Sequence, residues 1–173
     1  MCTANICRSP MAQRLFETRL GAQVDIETRS AGIRALTGHA MDAPSAKVLR
    51  ELGGDPTGHV AVQLTPALVG GAALILTATS AHRADILREQ PAAMRRTYTL
   101  REFGRLGAGV AFDPDRPLRE TVTEIAARRG LAAAEPGADE IGDPFGAPLA
   151  VVRQCGRQIS EAVDAVVRVL ADR

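Results

Sequence analysis

Residues 1–12 read MCTANICRSPMA. Cysteine stands at position 2, arginine at position 8, and Ser9-Pro10 opens the stretch behind them. Ser9 suits a helix N-cap and Pro10 suits a first helical turn. Met11, Ala12, Leu15, Phe16 and Leu20 then recur at helical spacing, and Gly21 stops the run. A loop that runs into a helix N-terminus aims several backbone N–H groups at one point. Those groups and the helix dipole favour an anion there. The same field favours a thiolate: a free cysteine titrates near 8.5, and such surroundings bring it to roughly 3.5–7.5. The planar fork of Arg8 can hold two oxygens of a tetrahedral oxyanion. Ser9 can cap the helix and also donate to the sulfur. Asn5 tolerates the left-handed backbone that a tight cradle needs. Cys-x5-Arg alone is a weak signal among so many arginines. Asn5, Ser9-Pro10 and the amphipathic helix make it specific, against the plain alternative of a terminal thiol and a surface charge.

The rest of the chain bounds the answer. Its 173 residues suffice for one domain with a proper core, and 46% of them are apolar. A net charge of +1 gives no electrostatic case for nucleic acid or an anionic membrane. Nearly all the positive charge is arginine, Lys47 being the only lysine. No apolar run reaches the length of a membrane span and no signal peptide precedes Cys2. Three cysteines make no secreted disulfide framework, so a reducing cytoplasm is expected. The histidines and cysteines show no ligand spacing; neither metal nor cofactor is expected.

Strand-like and helix-like stretches alternate along the chain, which predicts an α/β fold with a parallel sheet. Residues 24–32 (VDIETRSAG) read as a strand entering a loop. Residues 44–52 read as a helix ended by Gly53-Gly54. AALILTAT at 72–79 is a short continuous apolar run, as a strand buried on both faces should be. A helix from about Ser80 stops before Pro91, and RTYTL at 96–100 is extended. Residues 119–129 read as helix and 134–148 as loop. A last helix runs from Leu149 towards Leu170, with Val152, Ile159, Val163, Val166 and Leu170 on one stripe. There is no internal repeat and no linker, so residues 1–173 read as a single domain.

With these motifs in place, CTANICRSPMA resembles the signature loop of the low-molecular-weight protein tyrosine phosphatases. SAG at 30–32, GHAMD ending at Asp42, GHVAVQLT at 58–65, ALILTAT followed by SAHR, and DPFG at 143–146 fall in that family's order. The resemblance implies a flavodoxin-like three-layer sandwich with a four-stranded parallel sheet. It implies a phosphotyrosine protein phosphatase with Cys2 as nucleophile, Arg8 as phosphate-binding arginine and Asp143 as general acid. Thr3, Ala4, Asn5, Ile6, Cys7, Arg8 and Ser9 would cradle the phosphate. The expected substrates are phosphotyrosine proteins, with bacterial tyrosine kinases among the candidates.

The chemistry expected has two steps. Cys2 attacks phosphorus in line while Asp143 protonates the leaving oxygen, giving a cysteinyl-phosphate; Asp143 then acts as base on a water. Such acid catalysis is worth roughly 10²–10⁴-fold. Asp143-Pro144 lies in a loop, and the proline restrains the carboxylate. Asp113-Pro114 is a rival, although FDPDRPLRE reads as a turn entering a helix; position in the family order favours Asp143. The resemblance also makes Cys7 the partner that traps oxidised Cys2 as a reversible disulfide. The alternative for Cys7 is a small buried side chain. Cys155 lies on the last helix's apolar stripe and reads as core. His59 matches a family position near the loop but stays outside the expected site, and His82 reads as a surface residue.

The chain departs from the family pattern in places. Phe145 stands where tyrosine is usual, residues 33–37 lack the usual aromatic, and Val62 stands where arginine is common. The resemblance also places a buried central strand directly before the nucleophile, and here Met1 occupies its last position. Losing such a strand should cost more than the roughly 5–15 kcal/mol that holds a domain together. The expectation is a chain truncated relative to the family, with its natural start upstream. Two other functions stay open: a non-catalytic phosphate-binding remnant and, with less support, an arsenate reductase. No further cysteine between Cys7 and Cys155 supplies the relay that an arsenate reductase needs.

Overall fold

The structure is a computed structural model. It describes residues 1–21, 25–110, 113, 116–130 and 135–171. Helix α1 (Arg8–Leu20) leaves the cysteine loop and ends at Gly21. Helices α2 (Ala43–Glu51) and α3 (Pro66–Gly71) follow, capped by Asp42 and Thr65 through their side chains. Strand β1 (Ile75–Thr77) leads into α4 (Ser80–Glu89), which Thr79 caps. A 3₁₀ turn (Pro91–Arg96) enters strand β2 (Thr97–Thr99), and β2 enters α5 (Leu100–Gly107) through a capping box of Thr99 and Glu102. Helices α6 (Leu118–Ala127) and α7 (Leu149–Ala171) complete the chain.

β1 and β2 pair in parallel, Ile75 opposite Thr97. The row continues through single residues. The Met1 amine donates to the Leu76 carbonyl and Ala78 N–H donates to the Met1 carbonyl, which sets Met1 opposite Thr77. Cys2 bridges Gly32 and Gly32 bridges Gln63, all in parallel. Side chains of the row alternate between faces. Leu74 and Leu76 pack against the large cluster built on α1, α5 and α7, whereas Ile75 joins Val69, Ile86 and Ala93 on the other face. The result is an α/β/α layering on a parallel sheet. α7 packs against α1, α5 and α2, and a Cβ on Gly156 would lie 2.5 Å from Val48.

Most expected elements are present within a few residues. The strand expected over 24–32 is not: residue 24 lies outside the described residues, and 25–31 carry no strand, with one bridge at Gly32. Polar and charged residues at 25, 27, 28 and 29 leave that stretch little to bury. The sheet contains two strands among the described residues, not the four expected. A cavity of about 670 Å³ runs between residues 25–31 and 72–78, with Met1, Phe16, Leu20, Ile26, Leu74 and Ile159 among its walls.

Candidate active site

The loop from Cys2 to Arg8 turns its carbonyls outward. The Thr3 carbonyl accepts from Arg34 N–H, Ala4 from Leu36, and Ile6 from Asp42, at 2.9–3.0 Å. The Asn5 carbonyl lies 2.8 Å from His59 Nε2, which must therefore be the donor. A planar trans peptide sets its N–H opposite its C=O. The N–H groups of Ala4, Asn5, Ile6 and Cys7 consequently face inward, and among the described residues none has an acceptor.

Asn5 makes the turn with a φ of 60°, the left-handed conformation its residue type tolerates. Its fully buried amide donates to Ser9 Oγ at 2.8 Å and Ser30 Oγ at 3.0 Å, and its Oδ1 accepts from Val62 N–H at 2.8 Å. Gly32 presses on the same loop. A Cβ there would lie 2.4 Å from the Thr3 carbonyl, so only glycine lets the two segments approach.

Cys2 is buried, and its Sγ lies 3.0 Å from Ser9 Oγ. Ser9 Oγ already accepts from Asn5, so its own hydrogen is available to the sulfur. Ser9 is thus not the helix cap expected from the sequence: α1 begins at Arg8, and Cys7 occupies the cap position without a side-chain bond. The hydroxyl serves the sulfur instead of the helix.

Arg8 is 5% exposed. Nη1 donates to the Ile141 carbonyl at 3.1 Å and Nη2 pairs with Asp143 Oδ2 at 2.8 Å, while Nε has no partner among the described residues. Asp143 Oδ1 accepts from Phe145 N–H at 3.3 Å, a turn that fixes the carboxylate beside the loop. Phe145 and Leu36 are large and exposed. Asp113, the rival, stands at the turn before α6, where its carbonyl accepts from Arg116 N–H. The ion pair to Arg8 belongs to Asp143.

Two further thiols are buried. Burial pushes Cys7 up to about 12 and Cys155 up to about 11. Cys155 lies in the core with its Sγ 3.7 Å from the Gly142 carbonyl. Two histidines left outside the expected site hold the loop. His59, lowered by burial, secures the Asn5 carbonyl. His82, expected on the surface, is buried, with Nε2 2.9 Å from Thr3 Oγ1. Burial, then the neighbouring Arg8, lowers it to about 4. The GH dipeptide at 58–59 was the available signal for His59. Ser30, Gly32 and the Ile141 carbonyl come from distant segments and carry no local signal.

The profile of the low molecular weight phosphotyrosine protein phosphatases matches residues 1–121. The chain belongs to this family. It is 36% identical over 139 residues to a probable low molecular weight protein-tyrosine-phosphatase, EpsP, of Ralstonia solanacearum, covering 80% of this chain and 88% of that relative. It is 28% identical over 164 residues to a protein-arginine-phosphatase of Geobacillus stearothermophilus, covering 95% and 88%. The solved YwlE arginine phosphatase from Geobacillus stearothermophilus superposes with a TM-score of 0.72 at 28% identity, over 96% of this chain and 87% of that one. A low molecular weight protein tyrosine phosphatase from T. tengcongensis gives 0.73 at 26% identity, over 98% and 95%. No helix among the described residues is long and apolar enough to cross a membrane.

Proposed function

We propose that this protein hydrolyses phosphotyrosine in proteins, through a cysteinyl-phosphate on Cys2. The observation that carries the reading is the convergence of four inward N–H groups with a buried guanidinium whose Nε has no partner. A tetrahedral dianion would accept from all of these donors at once. In the first step the Cys2 sulfur attacks phosphorus. The S–P bond forms, the P–O bond breaks, and the leaving oxygen takes a proton from Asp143. In the second, a water loses its proton to Asp143 and attacks phosphorus. The S–P bond breaks, phosphate departs, and Ser9 donates to the released sulfur. The four amides and Arg8 hold the equatorial oxygens in both steps. Leu36 and Phe145 would flank the departing ring.

Hydrolysis of p-nitrophenyl phosphate that Cys2→Ser abolishes supports this reading. Vanadate affinity without turnover in the unaltered chain would establish instead a non-catalytic phosphate binder. A second reading, phosphoarginine as substrate, is favoured by the similarity to protein-arginine-phosphatases along nearly the whole chain. Matched phosphotyrosine and phosphoarginine peptides separate the two. A cytoplasmic site of action and a tyrosine kinase as target belong to the same proposal. Cys7 would trap oxidised Cys2 as a disulfide, which peptide mapping after peroxide treatment tests.

A further inference from the structure

Helix α4 begins where several parts of the candidate site meet. Ala78 N–H donates to the Met1 carbonyl, and the Ala78 carbonyl accepts from Ile141 N–H at 2.9 Å. The Ile141 carbonyl in turn holds Arg8. Ser80 N–H donates to the Glu140 carboxylate. The start of this helix therefore touches both the cysteine segment and the 140–143 loop that carries Asp143.

His82, in the first turn of α4, lies between two hydroxyls. Nδ1 is 2.6 Å from Thr79 Oγ1, and Nε2 is 2.9 Å from Thr3 Oγ1. Thr79 Oγ1 accepts the backbone N–H of His82 as the helix cap, so its hydrogen needs an acceptor of its own. Nδ1 supplies one. With Nδ1 in that role the ring carries its hydrogen on Nε2 and donates to Thr3. Thr3 directly follows the candidate nucleophile, and its carbonyl is the first of those turned out of the cradle. Among the described residues the charges that act on the ring are Arg8, the Met1 amine, Asp85 and Asp143.

We propose that His82, as the neutral Nε2–H tautomer, is a positioning residue for the phosphatase reaction: with Thr79 it forms a hydroxyl–imidazole–hydroxyl chain that fixes Thr3, and with Thr3 the first inward amide of the oxyanion cradle. The inference rests on the phosphatase reading. The ring touches neither phosphorus nor leaving group and acts through Thr3. Its low proton affinity suits the task, since an imidazolium could not accept from Thr79.

The test has two arms. In the unaltered protein, ¹⁵N–¹H correlation spectra near pH 6 should show an unprotonated Nδ1 and a protonated Nε2 for His82. Both signals should move when vanadate binds. The Nδ1–H tautomer, an imidazolium, or signals blind to bound vanadate would overturn the proposal. In variants, Thr3→Val and His82→Leu should each lower kcat on p-nitrophenyl phosphate by about tenfold, the scale of a slight misplacement of reacting groups. KM should change less than kcat. His82→Gln, whose amide can donate from the Nε2 position, should restore most of the loss, and the double variant should be no worse than the weaker single one. Additive losses, or a Gln variant as slow as Leu, would defeat the inference while leaving the phosphatase reading intact. Absence of vanadate affinity in the unaltered protein would instead defeat that reading.

Discussion

Arg8 and Asp143 form an ion pair of 2.8 Å between a guanidinium with 5% of its side chain exposed and a carboxylate with 54% exposed. The arginine is fixed by its surroundings and the aspartate is accessible. A phosphate held by Arg8 as proposed would compete with Asp143 for Nη2.

Asp143→Asn separates binding from chemistry. It should slow turnover by roughly 10²–10⁴-fold on aryl phosphates with poor leaving groups. The loss should shrink as the leaving group improves. Vanadate should bind at least as tightly, because no carboxylate competes for Arg8. Kinetics across a series of substituted phenyl phosphates, with vanadate inhibition, measures both. An unchanged rate on the poorest leaving group would move the acid elsewhere.

Asn5→Ala removes three hydrogen bonds and leaves a residue less suited to a φ of 60°. The Val62 N–H loses its acceptor and the two serine hydroxyls each lose a donor, at a total cost, with the backbone strain, of about 2–4 kcal/mol. Each kcal/mol corresponds to about 2–4 °C in a domain of this size. Thermal unfolding should show the drop, and activity should fall with it.

Gly32→Ala places a methyl group 2.4 Å from the Thr3 carbonyl and 3.0 Å from Asn5 N. Backbone must move, which costs about 1–3 kcal/mol. The displacement falls on the cradle itself, so vanadate affinity should weaken more than melting temperature suggests. Isothermal titration beside thermal unfolding would show whether it does.

His82 should make stability depend on pH. Folding lowers its pKa from the ordinary 6.5 to about 4, so between those values the unfolded chain binds the extra proton. The contribution of neutral His82 is complete above 6.5 and is lost as pH falls towards about 4. Denaturant unfolding from pH 7 to 4 should show stability falling, and the difference between the protein and His82→Gln should isolate this residue from the carboxylates. A pH-independent difference would contradict it.

The cradle was legible because its determinants are contiguous: Cys2, Asn5, Arg8 and Ser9 lie within one turn of sequence. Helices such as α1 and α7 announced themselves by period and by the glycine that ends α1. The local signals misled where tertiary demands took over. Ser9 reads as a cap because Ser-Pro favours helix starts, yet its hydroxyl is recruited by the sulfur and Asn5. His82 reads as a surface residue at the start of a helix, yet it is buried with its ring against Thr3. Residues 24–32 read as a strand running into a loop, but among the described residues 25–32 meet the row only at Gly32. Helices α3 and α5 went unread; α3 is six residues with two terminal glycines, too short to show a period.

The raised Cys7 and Cys155 thiols bear on chemical labelling. Cys7 and Cys155 are held as thiols far above neutrality, so a mild alkylating agent at neutral pH finds them inert. Iodoacetamide should therefore modify the folded protein with a stoichiometry set by Cys2 alone, and orthophosphate should protect that one sulfur. A tryptic map of the alkylated peptides would turn an arrangement of burial into a count of reactive sites.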